Sequence, residues 1–361
     1  MEDRNLELFR QYNIKIYNTY RIRGAFILET DKGLKLLKSL ESSKSRIDFE
    51  NTMLEYLTVQ DYPYVDLYVK NYSNEIITED SAGNKYVLKN WFPGEECNLR
   101  DEADVADATV NLAILHTLLR EVPLTEEQLL HNYYVDLMEV FDKRNRELKR
   151  VRSYIRDKRK KNEFELCYLN CYDNFYEQSQ EATRILGESN YPALMKEALE
   201  HRYICHGNYT YHNVIMLKSN QISLTNWKTY SNDESLSAAA LRGSIKANMA
   251  TTNFDRACIG VQITDLYQFM RKVMEKNDWD LDIGSMILDN YSRILAVDKD
   301  ELKLLYLLLL YPEKFWKITN FYYNGKKSWV PQRNIQKLIG IQEQMERKKQ
   351  FLDCLSTTIT E

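Results

Sequence analysis

The first 92 residues place apolar and polar side chains in short runs that are separated by turn residues. Residues 14–20, 24–30 and 34–40 predict three strands, and Asp31-Lys32-Gly33 predicts a tight turn before the third. Residues 46–57 instead repeat apolar positions on one helical face. Three strands followed by one helix are therefore expected.

Further strands are predicted at residues 64–72, 76–78 and 85–91, before Pro93-Gly94 interrupts the pattern. Strands on both sides of a single helix are typical of a small α+β unit. We therefore predict that residues 1–92 form an N-terminal lobe with an antiparallel sheet and one helix.

Beyond residue 93 the apolar positions recur every three or four residues, which predicts amphipathic helices. These helices are expected at residues 105–119, 137–154, 164–186, 280–295 and 299–311. A segment at about 222–250 is polar or small-residue-rich and predicts an inserted loop or short helix. Residues 93–361 are thus predicted to form a helical C-terminal lobe, giving an α+β bilobal architecture.

Composition excludes several classes of protein. The chain has 361 residues, 44% of them apolar, and a net charge of -4, so no nucleic-acid binding is expected. The six cysteines and five histidines show no zinc-binding spacing. The longest apolar run, residues 304–311, is far below the roughly 18 residues of a membrane span, and the N-terminus lacks an apolar signal core. A soluble cytoplasmic protein is expected.

Residues His206 to Asn213 follow the pattern His-Gly-Asp-x-x-x-x-Asn, except that Asn208 stands at the position of the acid. In kinases of small molecules this Asp accepts the substrate's hydroxyl proton, and the Asn five residues later supplies an oxygen to magnesium. Apolar runs on both sides predict the strand-loop-strand context that such a loop requires. His206, Asn208 and Asn213 are the candidate catalytic-loop residues.

The second magnesium carboxylate of such a site normally follows a short strand, and two segments compete for this position. One is residues 223–228, with Asn226, and the other is residues 250–256, with Asn253. The second is preferred because Asp255 lies ten residues before Asp265-Leu266. An Asn then replaces the metal-binding Asp, and Asp255 could substitute for it only if the loop shifts.

The nucleotide-binding side is expected at the third strand and the following helix. Lys38 can neutralise the α- and β-phosphates, and Glu50 can pair with Lys38; Lys35 and Glu55 are the alternatives. No Gly-x-Gly-x-x-Gly occurs at residues 20–26, so close backbone wrapping of phosphate is not predicted.

A basic segment at residues 143–161 holds eleven basic and two acidic residues. It could dock to an anionic surface, but a solvated helix face is the favoured interpretation. The 26 tyrosines are interpreted mainly as core residues, with cross-linking or packing contacts as the alternative.

With these motifs the chain resembles the aminoglycoside and choline kinase-like superfamily, and more closely the CotS-type spore coat proteins of spore-forming Firmicutes, particularly the clostridial kind. The resemblance covers nearly the whole chain. The motifs that carry it are Arg23-Gly24-Ala25, Leu112-Ala113-x-Leu115-His116, His206 to Asn213, Thr252-Asn253-Phe254-Asp255, Asp265 to Lys272 and Tyr311 to Lys317.

The resemblance implies a protein-kinase-like fold in a protein made in the mother-cell cytoplasm and deposited on the spore coat, with other coat proteins as partners. Asn208 and Asn253 indicate a degenerate phosphotransferase, in which ATP and magnesium bind weakly or not at all. General-base assistance contributes about 10²–10⁴ in rate, and hard divalent ions favour carboxylates. The alternatives are an active ATP-dependent small-molecule kinase that uses Asp255 for metal, and a nucleotide-sensing pseudokinase with a ligand in the interlobe cleft.

Overall fold

The computed structural model describes residues 7–22, 24–62, 64–129, 136–217, 249–324 and 331–360. The chain divides into two compact units, one of Met1–Asn132 and Ile204–Cys258 and the other of Tyr133–Tyr203 and Ile259–Glu361. The competing segment 223–228, and nearly all of the insertion predicted at 222–250, lie outside the described residues. The lobe boundary at residue 92 stays a prediction.

The first unit contains a six-stranded antiparallel sheet in the order β1-β2-β3-β6-β4, with β5 also paired to β6. Its strands are β1 Ile16–Ile22, β2 Ala25–Thr30, β3 Gly33–Ser39, β4 Tyr68–Val69, β5 Ile77–Glu79 and β6 Lys85–Asn90. The turn into β3 forms as predicted because Gly33 adopts a φ of 80°, which residues with a Cβ rarely take. The first three predicted strands are confirmed within two residues at each end.

One strand prediction was too long. The strand expected at residues 64–72 is reduced to the two residues of β4. The backbone before it turns instead: the Leu67 N–H donates to the Val65 carbonyl at 2.8 Å, and Val65 pairs with Thr251. This turn places Asp66 between the sheet and the Thr251 strand.

Three helices and four short strands complete most of the described part of the first unit. Helix α1, Lys44–Val59, confirms the predicted helix and begins at Ser43, which caps the Arg46 N–H. Helix α2, Glu102–Leu119, begins at Asp101. The shorter elements are β7 Gly94–Glu96, α3 Glu126–Leu129, β8 Ile204–Cys205, β9 Val214–Leu217 and β10 Met249–Thr251.

Helix α2 differs from its prediction in one respect. The apolar repeat predicted an amphipathic helix, but polar residues such as Thr109, Asn111 and His116 are also buried. Only the first turn is exposed, so α2 is a central helix that is covered on nearly all sides. Its buried polar groups must therefore find hydrogen-bond partners inside the protein.

The second unit is mainly helical. After the short strand β11, Cys258–Ile259, at the junction, its helices are α4 Leu137–Asp157, α5 Glu163–Gly187, α6 Tyr191–Glu200, α7 Ile263–Lys276, α8 Leu281–Ser292, α9 Lys299–Leu310, α10 Glu313–Asn324, α11 Pro331–Glu343 and α12 Met345–Thr360. No helix in the described part of the chain is both long enough and apolar enough to cross a membrane.

Aromatic rings form much of the core of this unit. Phe164 stacks on Tyr322 with ring centroids 3.7 Å apart, and Phe315 stacks on Tyr168 at 5.2 Å and on Phe175 at 4.7 Å. All five side chains are buried. These tyrosines are core residues, as the sequence indicated, and offset stacking adds to the free energy of their burial.

The basic segment at residues 143–161 is partly neutralised within the second unit. Arg144 pairs with Glu313, and Arg152 pairs with Asp173 at 2.7 Å. Both guanidinium groups also lie over aromatic rings, at 4.1 and 4.5 Å from the centroids of Trp316 and Tyr172. Part of the segment therefore stabilises helix packing, while the docking interpretation stays a prediction.

A pair of helical glycines tests the packing of the second unit. A Cβ at Gly284 in α8 would lie 2.3 Å from a ring carbon of buried Phe351, whereas a Cβ at Gly340 in α11 would meet nothing within 4 Å. Gly284→Ala should lower the free energy of unfolding by about 1–3 kcal/mol through overpacking. Gly340→Ala should raise it by about 0.4–1 kcal/mol. Chemical denaturation measures both, and equal effects would contradict the packing of α8 against α12.

Candidate functional site

The catalytic-type loop lies between short strands, as predicted. Strand β8 precedes it, and a single 3₁₀ turn at Tyr211–Asn213 leads directly into β9. Strand β9 pairs with β10 so that Val214 faces Thr251, which brings the loop next to residues 252–255. The two sequence segments that were predicted to form one site are therefore adjacent in the first unit.

His206 holds the loop against the second segment. Its side chain is fully buried, its Nε2 lies 3.1 Å from the Thr252 carbonyl oxygen, and its Nδ1 accepts the Asn208 N–H at 3.2 Å. Because Nδ1 accepts, the ring hydrogen belongs on Nε2, from where it is donated to Thr252. The imidazole is thus engaged on both nitrogens, which suits a positioning residue.

Asn213 closes the loop on itself. Its side-chain Nδ2 donates to the Asn208 carbonyl at 2.8 Å, and its own carbonyl accepts the Thr252 N–H at 2.9 Å. The Asn208 side chain is half-buried. The loop therefore keeps its closed shape through the backbone of Asn208, without any need for an acid at that position.

A buried polar network ties the loop to helix α2. Asn111 donates to the Tyr209 hydroxyl at 3.1 Å and to the Thr251 hydroxyl at 2.9 Å, and it accepts from Tyr62 at 2.8 Å. Tyr209 in turn donates to the Ala108 carbonyl at 2.7 Å. Each of these polar side chains is buried, so the network satisfies groups that would otherwise be costly inside the protein.

Gly207 allows close contact between the two segments. Its φ of 74° lies in the left-handed region, and a Cβ there would come within 2.0 Å of the Arg256 carbonyl oxygen. Only glycine combines this conformation with this approach. The glycine of the motif is therefore required by backbone geometry.

Lys38, Asn253 and Asp255 lie close together in the first unit. The Lys38 Nζ lies 3.4 Å from the Asn253 Oδ1 and 3.7 Å from the Asp255 Oδ2. The Lys38 and Asp255 side chains remain 30% and 34% exposed, so both are accessible to a ligand. Asn253 has a φ of 67°, a conformation that Asn tolerates better than most residues. Strand β3 thus delivers its lysine to the segment that follows β10.

Glu50 pairs with a different lysine from the one that the sequence suggested. Its Oε1 lies 2.6 Å from the Lys89 Nζ, and its Oε2 accepts from the Tyr68 hydroxyl at 2.7 Å. The Lys89 Nζ also lies 2.7 Å from the Asp66 Oδ2. The predicted Lys38–Glu50 ion pair was wrong, because Lys89 on β6 reaches the buried Glu50 carboxylate first.

Lys35 and Glu55, the alternatives to Lys38 and Glu50, make contacts elsewhere or face solvent. The Lys35 Nζ donates to the Lys32 carbonyl at 2.6 Å and to the Asn90 Oδ1 at 3.0 Å. Glu55 is exposed on α1. Neither belongs to the group around Lys38.

Lys89, Glu50 and Asp66 form a buried charge cluster, each side chain being 3% exposed or less. Burial acts to lower the pKa of Lys89, but Asp66 and Glu50 outweigh it and raise that pKa. Burial acts to raise the pKa of Glu50, yet the Lys89 charge and hydrogen bonds lower it. Burial and the neighbouring Glu50 charge keep the pKa of Asp66 raised. The Lys89 ammonium therefore stabilises the ionised form of Glu50 more than the ionised form of Asp66.

Asp66 connects this cluster to the Lys38 group. The Asp66 Oδ2 that contacts Lys89 also accepts the backbone N–H of Asn253 at 3.0 Å. Sequence reasoning missed both Lys89 and Asp66. The available signal was a lysine directly after the apolar Tyr86-Val87-Leu88 of a predicted strand, and an aspartate between Val65 and Leu67. Charged residues at such positions are rarely buried unless they are paired.

The side chains around Lys38 form a poor magnesium site. Asn253 and Asn213 offer neutral carboxamides, and Asp255 is the one carboxylate in this group. The Asp255 Oδ1 is buried without a hydrogen-bond partner, but its Oδ2 faces Lys38. Among the described residues, no group of three or more His, Cys, Asp or Glu is placed to hold a metal. Magnesium prefers carboxylates and phosphate oxygens, so this donor set does not fit it well.

Solved structures share this fold along nearly the whole chain. An aminoglycoside phosphotransferase from Alicyclobacillus acidocaldarius is similar with a TM-score of 0.78 at 16% identity, covering 98% of this chain and 95% of that one. A spectinomycin phosphotransferase in complex with ADP and spectinomycin has a TM-score of 0.64 at 10% identity, covering 95% and 93%. The predicted α+β kinase-like phosphotransferase fold is confirmed.

Among curated proteins, spore coat protein S of Bacillus subtilis (strain 168) is 22% identical over 342 residues, covering 92% of this chain and 87% of that protein. No protein-family model matches the chain. The predicted resemblance to CotS-type spore coat proteins is thus confirmed by this relative, and the kinase-like fold is confirmed by the solved structures.

The charge cluster predicts a large difference between two lysine variants. Lys89→Met leaves two buried carboxylates without a cation and should cost about 3–5 kcal/mol in the free energy of unfolding at neutral pH. Lys38→Met, at a 30% exposed side chain, should cost less than about 1 kcal/mol. Urea denaturation of both variants measures this difference.

The pH dependence of Lys89→Met provides the control. Without the ammonium, the pKa of Glu50 should rise above its unfolded value, so the variant gains stability as the pH falls towards about 4.5 and both carboxyls take up protons. The wild type loses the contribution of Glu50 in the same direction. The difference in the free energy of unfolding between the wild type and Lys89→Met should therefore narrow in acid. A difference that is constant with pH would contradict the ionised cluster.

Gly207 supplies a second prediction, with Gly83 as the matched control. Their φ angles are similar, at 74° for Gly207 and 78° for Gly83, but a Cβ at Gly83 would meet nothing within 4 Å. Gly83→Ala should cost about 1 kcal/mol for the conformation alone. Gly207→Ala adds a backbone clash and should cost at least about 2 kcal/mol more. Equal melting temperatures for the two variants would contradict the contact of the loop with Arg256.

Proposed function

We propose that the protein is a structural and interaction component of the spore coat, built on a phosphotransferase fold whose catalytic site is degenerate. The similarity to spore coat protein S along 92% of the chain supports the coat role. We further propose synthesis in the mother-cell cytoplasm and assembly with other coat proteins on the spore. A tagged full chain that stayed diffuse through sporulation would contradict this assignment.

The main support for a degenerate site is the contact of Lys38 with Asn253. The Lys38 Nζ lies 3.4 Å from the Asn253 carboxamide oxygen, where a phosphotransferase would offer a metal-binding carboxylate. Asn208 likewise replaces the acid that accepts a proton. Phosphoryl transfer depends on positioning and on charge stabilisation. The positioning contacts of His206, Asn213 and Gly207 support a retained frame, while the charges that stabilise the transfer are reduced.

Residual nucleotide binding would use the exposed Lys38 cation, with Glu50 acting indirectly through the Lys89 cluster. Bound magnesium would neutralise phosphate charge in such a site, but the carboxamides of Asn213 and Asn253 would hold it weakly. A pseudokinase that senses nucleotide would therefore show ATP-dependent thermal stabilisation without turnover. This variant of the proposal fails if ATP causes no shift in melting temperature.

A second candidate is an active small-molecule kinase that uses Asp255 for metal. The observation in its favour is the Asp255 Oδ1, which is buried and accepts no hydrogen bond. An Asp255 carboxylate turned away from Lys38 could offer both oxygens to a cation. Robust ATP turnover by the wild type on hydroxylated or amino substrates, abolished in Lys38→Ala, would establish this candidate and overturn the degenerate site.

Restoring both acids tests whether only charge is missing. Wild-type protein with ATP and magnesium should show no turnover above background. Asn208→Asp combined with Asn253→Asp should raise ATP hydrolysis by at least about 10²-fold, the lower end of a general-base contribution. Asn74→Asp is the matched control, since Asn74 is exposed and shares the positive φ of Asn253, at 62°. Equal ATP hydrolysis by the wild type and the double variant would contradict the proposal that the site lacks only these two charges.

A further inference from the structure

The second unit contains a cavity of about 40 Å³ that is lined mainly by apolar side chains and also by several charged ones. It lies among α7, α9, α10, α11 and α12, and its lining includes Arg271, Glu275, Trp279, Glu313, Lys314 and Lys348. A cavity needs about 10–15 Å³ for one water. The space therefore accommodates about three waters, or one small oxyanion of four or five heavy atoms.

The two carboxylates of the lining are each shared between two cations. Glu275 contacts Arg271 at 2.6 Å and Lys314 at 3.5 Å. Glu275 is nearly buried, and these cations lower the pKa of its carboxyl against the effect of burial. Arg271 and Lys314 therefore neutralise the charge of Glu275 without any contribution from Lys348.

Glu313 is occupied in the same way. It pairs with Arg144 and, at 3.0 Å, with Lys317, neither of which belongs to the cavity lining. Burial acts to raise the pKa of the Glu313 carboxyl, but these cations lower it. The side chains of this region thus leave an excess of positive charge.

Among the residues that the structure describes, no carboxylate forms an ion pair with Lys348 on α12. Its Nζ donates to the Leu310 carbonyl at the end of α9, at 3.1 Å, and lies 5.4 Å from the centroid of the Trp279 ring. The charged groups that face it are Arg271 and Glu275 from α7, and Glu313 and Lys314 from α10. Burial lowers the pKa of Lys348 to about 7, with Glu275 opposing and Arg271 assisting.

Arg271 also retains unused donor capacity. Its side chain is 7% exposed, its Nη1 binds Glu275, and its Nε has no hydrogen-bond partner. A buried donor without a partner is costly, so it calls for an acceptor. The planar guanidinium fork matches the geometry of carboxylate and phosphate-type oxygens.

We propose that this cavity binds a small oxyanion, the carboxylate or tetrahedral oxyanion group of a ligand, through Arg271 and Lys348. Among the described residues, the Arg271 Nε lacks an acceptor and Lys348 lacks an ion-pair partner. Together with the excess of cations and a space of matching size, these features support the same occupant. The site lies in the second unit and does not depend on the degenerate phosphotransferase site. Its failure would leave the coat assignment untouched.

Isothermal titration with sodium sulfate and with sodium acetate, at ionic strength matched by chloride, distinguishes the tetrahedral from the planar anion. The full chain should bind at least one of them saturably. Lys348→Met should weaken binding about tenfold or more, as expected for loss of a charge-assisted hydrogen bond. Lys349→Met, which removes an exposed lysine next to it, should leave the affinity unchanged.

Sulfate keeps its charge between about pH 6 and 8.5, so any pH dependence of its binding reports on the protein. Affinity should be highest below about pH 7 and should fall above it as Lys348 loses its proton. Lys348→Met removes a cation that burial disfavours, so it should fold; circular dichroism confirms this. Arg271→Lys, which keeps the charge but loses the Nε, is the second variant and should also weaken binding. No saturable binding by the wild type, or an affinity equal to that of the wild type in both variants, would overturn the proposal.

Discussion

The candidate site depends on the buried ion pairs of the Lys89 ammonium with Glu50 and Asp66. Moving the ammonium out of water is unfavourable unless carboxylates surround it, and Glu50 and Asp66 do so at 2.6 and 2.7 Å. These contacts tie strand β6 to helix α1 and to the turn before β4. The same Asp66 carboxylate accepts the Asn253 N–H, so the cluster also sets the segment that faces Lys38. With Glu50 engaged by Lys89, Lys38 is left to Asn253 and Asp255.

The catalytic-type loop is held in place by backbone and amide contacts. The loop is closed by the Asn213 side chain on a backbone carbonyl, and Tyr209 is held by Asn111 and the Ala108 carbonyl. None of these contacts involves a carboxylate at position 208 or 253. The shape of the loop therefore does not depend on an acid at either position.

The sequence was sufficient for elements that depend on local patterning. The β2–β3 turn at Gly33, helix α1 and the strand-loop-strand around Asn208 follow from spacing and turn chemistry alone. Long-range choices could not be predicted in the same way. Lys38 and Lys89 both lie on strands, and only the register of β6 against β3 and β4 decides which reaches Glu50. Likewise, the apolar repeat of α2 predicted an amphipathic helix with an exposed polar face. The burial of its polar residues could not be predicted, because their hydrogen-bond partners lie far away along the chain.

We propose that carboxamides at positions 208 and 253 leave no effective site for a divalent cation. Electron paramagnetic resonance of Mn²⁺, titrated into the protein with a non-hydrolysable ATP analogue, measures this directly. We expect the bound Mn²⁺ to equal the amount held by the nucleotide alone, in both the wild type and Asp255→Asn. Additional protein-bound Mn²⁺ in the wild type that disappears in Asp255→Asn would contradict it.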